Sequence, residues 1–134
     1  MIPPIVRQMI VCDEIVADPK NGNRLNTMGL AQSISPSKGD DYPLKHPKLS
    51  VLISFSGGVG SGRFHVAIRS EETGEVIRKT DIHTIQHHAQ RNHVSGVTIR
   101  IVDCVFEEPG VYWIEFVYEG RVLSQYPLFL RPPR

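Results

Sequence analysis

The chain has 134 residues, of which 40% are hydrophobic, 7% aromatic and 22% charged. This length suits one domain that buries a core without disulfide or metal support, and the apolar content argues against wholesale disorder. Fifteen lysines and arginines against fourteen aspartates and glutamates give a net charge of +1, so we expect no general attraction to nucleic acid or to an anionic membrane.

Alternation of apolar and polar residues with a period of two runs along most of the chain and predicts strands. An opening strand is expected near 5–16 and a second near 24–34, because turn-forming residues fill the segment 18–23 between them. Four stretches with clear alternation predict further strands, at 49–55, 64–68, 97–101 and 112–118. A tight turn at Glu119-Gly120 then leads into a last strand near 121–130.

The strand pattern is not interrupted by a convincing helical stripe. It predicts an all-β protein with one domain over residues 1–134, folded as an immunoglobulin-like antiparallel β-sandwich of seven or eight strands. Tyr112 supports this fold, because it follows the turn at Pro109-Gly110 and precedes the inward residue Ile114. In Greek-key sandwiches a tyrosine at such a place forms a tyrosine corner, in which the hydroxyl bonds to backbone a few residues upstream.

Three segments carry a resemblance to a known family, namely Cys12-Asp13 and the stretches 24–34 and 109–128. They resemble a bacterial family of small all-β proteins that is classed as a domain of unknown function. Members of that family similarly combine an early Cys-Asp, a Leu-Asn-x-x-Gly second strand and a closing Pro-Gly-x-Tyr hairpin. The resemblance implies an immunoglobulin-like sandwich and a bacterial origin, and it brings no catalytic residue to this chain.

Cys12 and Cys104 both lie in segments with a strand pattern. The first residues, Met1-Ile-Pro-Pro, lack the basic region and apolar core of a secretory signal, so a cytoplasmic location is expected. In a reducing compartment the two cysteines are expected to be small buried apolar residues, although a sandwich could bring their strands together as a disulfide. The apolar runs are far shorter than the roughly 20 residues that cross a bilayer, so no membrane partner is expected.

Histidines cluster in one polar stretch, which contains His83, His87, His88 and His93. On a helical turn His83 and His87 would share one face and His93 could add a third imidazole, a ligand set that suits zinc with an open position. The other interpretation is a solvated connection between two strands, which we favour because no supporting shell of residues is recognisable. The cluster therefore supplies the alternative function, a metal- or small-ligand-binding protein, and no cofactor is otherwise expected.

No group of residues is arranged for catalysis. The glycine-rich segment 57–62 could cradle an anion, but Arg63 and an alternating strand follow it, whereas a phosphate loop leads into a helix. Adjacent carboxylates such as Asp13-Glu14 point to opposite faces of a strand and cannot act on one bond. We therefore predict no catalytic residue and a protein that is not an enzyme.

An outward-facing apolar strip carries the functional prediction. Because the even-numbered residues of 112–118 face the core, Trp113 and Val117 must point outward, and Leu52 lies on the outer face of its own strand. A tryptophan with aliphatic neighbours on a sheet face indicates a protein–protein surface, unless the connection 81–95 folds over it. We predict a non-enzymatic binding or assembly domain that forms a homodimer through this sheet face or binds another protein, with no nucleic-acid partner.

Overall fold

The computed structural model describes residues 2–17, 20, 25–30, 32–87 and 94–133, with the backbone alone for residue 17 and for 25–30. All regular structure in these ranges is extended. The strands are β1 (Ile5–Ala17), β2 (Leu25–Leu30), β3 (Ser33–Ile34), β4 (Leu44–Ser56), β5 (Ser61–Ser70), β6 (Val76–Lys79), β7 (His83–Gln86), β8 (Val94–Phe106), β9 (Gly110–Tyr118) and β10 (Arg121–Leu130). None of the described residues belongs to a helix that is long and apolar enough to cross a membrane.

The strands form two sheets. The first has the order β2-β1-β4-β8 and is antiparallel throughout. The second has the order β3-β10-β9-β5-β6, with β7 also pairing with β5, and its β3 runs parallel to β10. The prediction of an all-β protein is confirmed, but the described strands outnumber the seven or eight predicted, and the purely antiparallel arrangement is wrong. Since the parallel pair joins strands from distant parts of the chain, no local pattern indicates it.

The core lies between the two sheets and is built from the inward positions of the strands. Its largest fully buried side chains come from both sheets and include Phe55 of β4, Phe106 of β8 and Phe116 of β9. Burial of each such side chain contributes roughly 1.5–3 kcal/mol. The inward positions follow the predicted period of two over 49–55, 64–68, 97–101 and 112–118, which confirms these four strands.

The alternation of inward and outward side chains along β8 is interrupted at Asp103. The backbone of this residue is left-handed, with a φ of 51°, and it lies between the pairs that join Val102 to Lys48 and Cys104 to His46 of β4. Ile101 and Cys104 are three residues apart, yet both contribute to the core. The side chain of Asp103 stays exposed, with Lys45 Nζ at 3.8 Å.

Candidate functional site

The outer face of the second sheet is formed by outward side chains of β5, β9 and β10. Trp113 of β9 lies in register between Arg69 of β5 and Pro127 of β10, and Val117 lies between His65 and Val122. We call this surface the β9 face, and its central residues are His65, Ala67, Arg69, Trp113, Glu115, Val117, Val122, Gln125 and Pro127. Two of the predicted surface residues, Trp113 and Val117, thus share one face.

Polar groups at the centre of the β9 face are paired within the chain. Glu115 is only 5% exposed, and Arg69 Nε lies 3.3 Å from its Oε1 and 3.4 Å from its Oε2. Arg69 Nη1 also donates to the carbonyl of Gly74 at 2.7 Å, which fixes the guanidinium. Trp113 Nε1 donates to Glu71 Oε1 at 3.3 Å. The central charge is therefore neutralised, and the indole donor occupied, by residues of this chain.

The side chains of the β9 face are less exposed to solvent than the sequence predicts. Val117 is 8% exposed and Trp113 is half-buried, because closely spaced neighbours on β5 and β10 cover their flanks, whereas Val122 is 46% exposed. The described part of the connection 81–95 extends the sheet instead of crossing this face, since β7 pairs with residues 61–64 of β5. Residues 88–93 of that connection lie outside the described residues.

Leu52 lies on the other side of the molecule from Trp113. It belongs to β4 of the first sheet, between Ile10 and Thr98, and is half-buried. Its side chain points away from the core because its neighbours Val51 and Ile53 point inward. The strip expected from the sequence therefore divides into two surfaces, and only Trp113 and Val117 belong to the β9 face.

The histidine cluster does not converge in the described residues. His83 belongs to β7, a strand, so His83 and His87 are roughly 13 Å apart along the chain direction and not neighbours on a helical turn. The ring of His83 lies against Phe64, with centroids 5.5 Å apart. The other two histidines of the cluster, His88 and His93, lie outside the described residues. Within the described ranges no three His, Cys, Asp or Glu side chains are grouped to hold a metal ion.

His87 instead pairs with Tyr118. Its Nε2 lies 2.6 Å from the Tyr118 hydroxyl, and its ring meets Phe55 edge-on with centroids 5.9 Å apart. Burial lowers the pKa of the His87 imidazole and raises the pKa of the Tyr118 hydroxyl, so the hydrogen bond joins two neutral groups near pH 7. Sequence reasoning missed this pair, because the period of two identifies Tyr118 only as a core residue.

A polar cleft opens between the edges of the two sheets. It has a volume of about 360 Å³ and lies where β8 of the first sheet approaches β6 and β7 of the second. Its lining residues are Arg78, Lys79, Thr80, Asp81, His83, Thr98, Ile99, Arg100 and Ile101. Three of these are cations, and Asp81 is the single carboxylate among them. The sequence gives no signal for this cleft, because only the packing of the sheets brings residues 78–83 next to residues 98–101.

Cys104 is a core residue without reactive character. It is 1% exposed, and burial raises the pKa of its thiol to about 11. Since the thiolate is the nucleophilic form of cysteine, this residue is inert near neutral pH. The expectation of a small buried apolar residue is confirmed for Cys104.

The sequence and the fold both have relatives among known proteins. The model of a family described as a family of unknown function (DUF6941) matches residues 7–131. No curated protein matches the sequence. A similar solved structure is that of the Pseudomonas fluorescens alkylpurine DNA glycosylase AlkC bound to DNA containing an abasic site analog, with a TM-score of 0.55 and 10% sequence identity. The similarity covers 98% of this chain and 31% of the glycosylase chain, and at this identity it concerns the fold alone.

Proposed function

The chain belongs to a family of unknown function (DUF6941), and we propose that it is a non-enzymatic binding or assembly domain that forms a homodimer through the β9 face. The observation that carries this proposal is the combination of apolar side chains and satisfied polar groups on that face. Trp113, Val122 and Pro127 supply apolar contact surface from two adjacent strands, and the largely buried Val117 lies beneath them.

Pairing of the two charges at the centre of the β9 face lowers the cost of covering them with a partner. An unpaired charge or donor costs free energy when an interface covers it, whereas Glu115 already accepts from Arg69 and the Trp113 indole already donates to Glu71. Tryptophan and arginine are also the residue types that most often dominate binding free energy. Covering this face therefore removes apolar area from water without leaving its central charge unpaired.

A two-fold dimer is the simplest use of such a face, because the same patch then serves both protomers. The strands β5, β9 and β10 present a surface of roughly 15 Å by 25 Å, so a dimer through it buries roughly 750 Å² in total, below the about 1,000 Å² of a stable specific interface. We therefore infer a reversible dimer that dissociates on dilution, and not an obligate one.

The immunoglobulin-like topology is part of the same proposal. The order β1-β4-β8 in one sheet and β10-β9-β5-β6 in the other matches the strand orders A-B-E and G-F-C-C′ of immunoglobulin sandwiches. The hydrogen bond from the Tyr112 hydroxyl to the carbonyl of Glu108 supports it further, because this is the contact of a tyrosine corner. The parallel β3 and the additional strand β2 are departures from that pattern.

Sedimentation velocity over a range of protein concentrations tests the dimer. We expect a monomer–dimer equilibrium for the native protein and a shift to monomer for Trp113→Glu. Val122→Glu should act in the same direction, and it is safe for folding because Val122 is 46% exposed. The matched control is Leu52→Glu, which places the same charge on the outer face of the first sheet.

Two results would overturn the proposal. One is a native protein that stays monomeric at every concentration. The other is a dimer that Leu52→Glu dissociates while Trp113→Glu and Val122→Glu leave it intact, because the dimer would then use the first sheet. Circular dichroism of each variant verifies that the fold is retained.

A further inference from the structure

We propose that the cleft between β8 and the β6–β7 edge binds an extended acidic segment of a partner protein, which adds as a strand to β8. This surface is separate from the β9 face and does not depend on the dimer. The inference rests on the edge position of β8, on the excess of cations over carboxylates in the lining of the cleft, and on the directions in which those cations point.

β8 is an edge strand with backbone groups available for pairing. Over 98–101 one of its sides pairs with β4, from Leu52 opposite Thr98 to Leu49 opposite Ile101. No strand in the described part of the chain pairs with its other side, which borders the cleft. In an edge strand every second residue directs its N–H and C=O groups outward, and such groups are a template for adding a further strand.

The cleft is lined by more positive than negative charge, although Arg100 also lies close enough to Glu14 to help lower the pKa of that carboxyl, after Lys48. Arg78, Lys79 and Arg100 line it, and none of the three makes a salt bridge within the described ranges, where other cations such as Lys48 and Arg69 do. Asp81 is the one carboxylate of the lining. This imbalance selects a ligand with acidic side chains.

The directions of the three cations favour an extended chain over a small anion. Arg78 pairs with the inward residue Ile68, so it points into the sandwich, whereas Lys79 pairs with Ala67 and points to the outer face of the second sheet. Arg100 pairs with Ser50 and points to the outer face of the first sheet. The three side chains therefore point in different directions around the opening and do not converge on one point.

The residues that line the cleft also indicate which residue types alternate in the bound segment. A strand added to β8 directs alternate side chains to the two faces of the first sheet. Those on the inner face meet Ile99, Ile101 and the guanidinium of Arg78, and those on the outer face meet Thr98 and Arg100. The segment that fits is therefore extended and alternates acidic residues with β-branched ones, in the mode of β-strand addition.

The probe for this proposal is a fluorescent peptide of about eight residues that alternates threonine and glutamate, a length typical of one strand. We expect the full-length protein to bind it in an anisotropy titration, with an affinity that falls as salt is added. Hydrogen exchange should slow at backbone amides within 98–101 when the peptide is bound. The same peptide with glutamine in place of glutamate is the control, and it should bind at least about fivefold more weakly.

Variants of the protein locate the binding. The threonines pack against Ile99 and Ile101, so the glutamates share the outer face with Arg100. Arg100→Glu should therefore weaken binding roughly fivefold to tenfold, and Arg78→Glu, on the opposite face, should weaken it less. Lys38→Glu, which reverses a charge in the exposed connection before β4, should leave binding unchanged. Trp113→Glu should also leave it unchanged, so that failure of the proposed dimer and failure of this proposal are distinguishable.

Any one of four results would overturn the inference. They are no binding of the glutamate peptide, equal binding of the glutamine peptide, displacement of the peptide by inorganic phosphate at similar concentration, and tighter binding of a short single-stranded DNA. Phosphate displacement would indicate a small-anion site, and the DNA result would indicate a nucleic-acid surface.

Discussion

Gly58 and Gly62 occupy places where no larger residue fits, because aromatic rings fill the space next to them. A Cβ on Gly62 would collide with the hydroxyl and ring of Tyr118, and one on Gly58 would collide with the imidazole of His87. The two rings meet through the hydrogen bond between Nε2 and the phenol. Each glycine is therefore a packing partner of one ring, and the four residues form one unit that joins β5, β9 and the segment after β7.

We expect Gly62→Ala to lower the free energy of unfolding by about 2–3 kcal/mol, the cost of overpacking a filled site. Tyr118 is 2% exposed and has no open space into which it can move. The matched control is Gly96→Ala in β8, whose Cβ would meet its nearest atoms at 3.8 Å and 3.9 Å. That substitution should stabilise the protein by up to about 1 kcal/mol. Urea unfolding followed by tryptophan fluorescence measures both, and equal effects would contradict the packing argument.

The sequence predicts where these glycines lie but not what they accommodate. The segment 57–62 is expected to connect two strands; residues 57–60 do connect β4 to β5, whereas Ser61 and Gly62 already belong to β5. The role of His87 cannot be predicted in the same way, because its partner Tyr118 is 31 residues away. In the sequence, the spacing between His83 and His87 fits a helical turn as well as a strand. The extended backbone of β7 excludes the helical interpretation.

Tyr112 fixes the turn between β8 and β9. Its hydroxyl donates to the carbonyl of Glu108 at 2.7 Å, and its ring lies edge-on against Phe106 with centroids 4.9 Å apart. One side chain thus ties the end of β8 to the start of β9. The hydrogen bond to upstream backbone that the sequence predicts for Tyr112 is confirmed.

We expect Tyr112→Phe to lower the free energy of unfolding by about 1 kcal/mol, because it keeps the ring packing and leaves the Glu108 carbonyl without its donor. Tyr126→Phe is the control, since Tyr126 is half-buried and its hydroxyl has no hydrogen-bond partner in the described ranges. That change should stay within about 0.5 kcal/mol of the native value. Chemical denaturation of both variants measures the two free energies of unfolding. An equal loss of stability in Tyr126→Phe would contradict a specific contribution of the Tyr112 hydrogen bond.

The elements that the sequence predicts well are those whose two faces differ strongly in polarity. The last strand is expected near 121–130 and is β10 over Arg121–Leu130. The strand expected near 24–34 is two strands, β2 and β3, which belong to different sheets. β6 and β7 are missed, because each has only four residues and takes its extended form from pairing with β5 and not from a pattern of its own.

The positions of the two proposed surfaces depend on which strands lie at the edges of the two sheets. β8 and the β6–β7 pair are the last strands on their sides of the two sheets, so the cleft lies at an open edge. The β9 face lies at the middle of the second sheet, where β9 is flanked by β5 and β10. Since one surface is an edge and the other a face, both can be occupied at once.

The two layers are joined by packing and not by a bond between the cysteines. Cys12 belongs to β1 and Cys104 to β8, and β4 lies between these strands. Cys12 pairs with Ser50 and Cys104 with His46, so their backbones are separated by roughly 10 Å across the sheet and by roughly 13 Å along it. This is beyond the roughly 7 Å that a disulfide spans between Cα atoms. Their side chains also point differently, since Cys104 contributes to the core whereas on β1 it is Val11 that does so.

From this geometry we expect the melting temperature to be the same with and without a reducing agent. Both cysteines are buried, and with a pKa of about 11 the Cys104 thiol is about one part in a thousand thiolate at pH 8. Iodoacetamide should therefore leave both cysteines unmodified in the native protein and alkylate both in denaturant. Mass spectrometry of the intact protein measures the number of alkylated cysteines. Ser37→Cys, in an exposed loop, is the positive control and should be alkylated at once. A melting temperature that falls on reduction would mean that a covalent link, and not the packed layers alone, holds the fold.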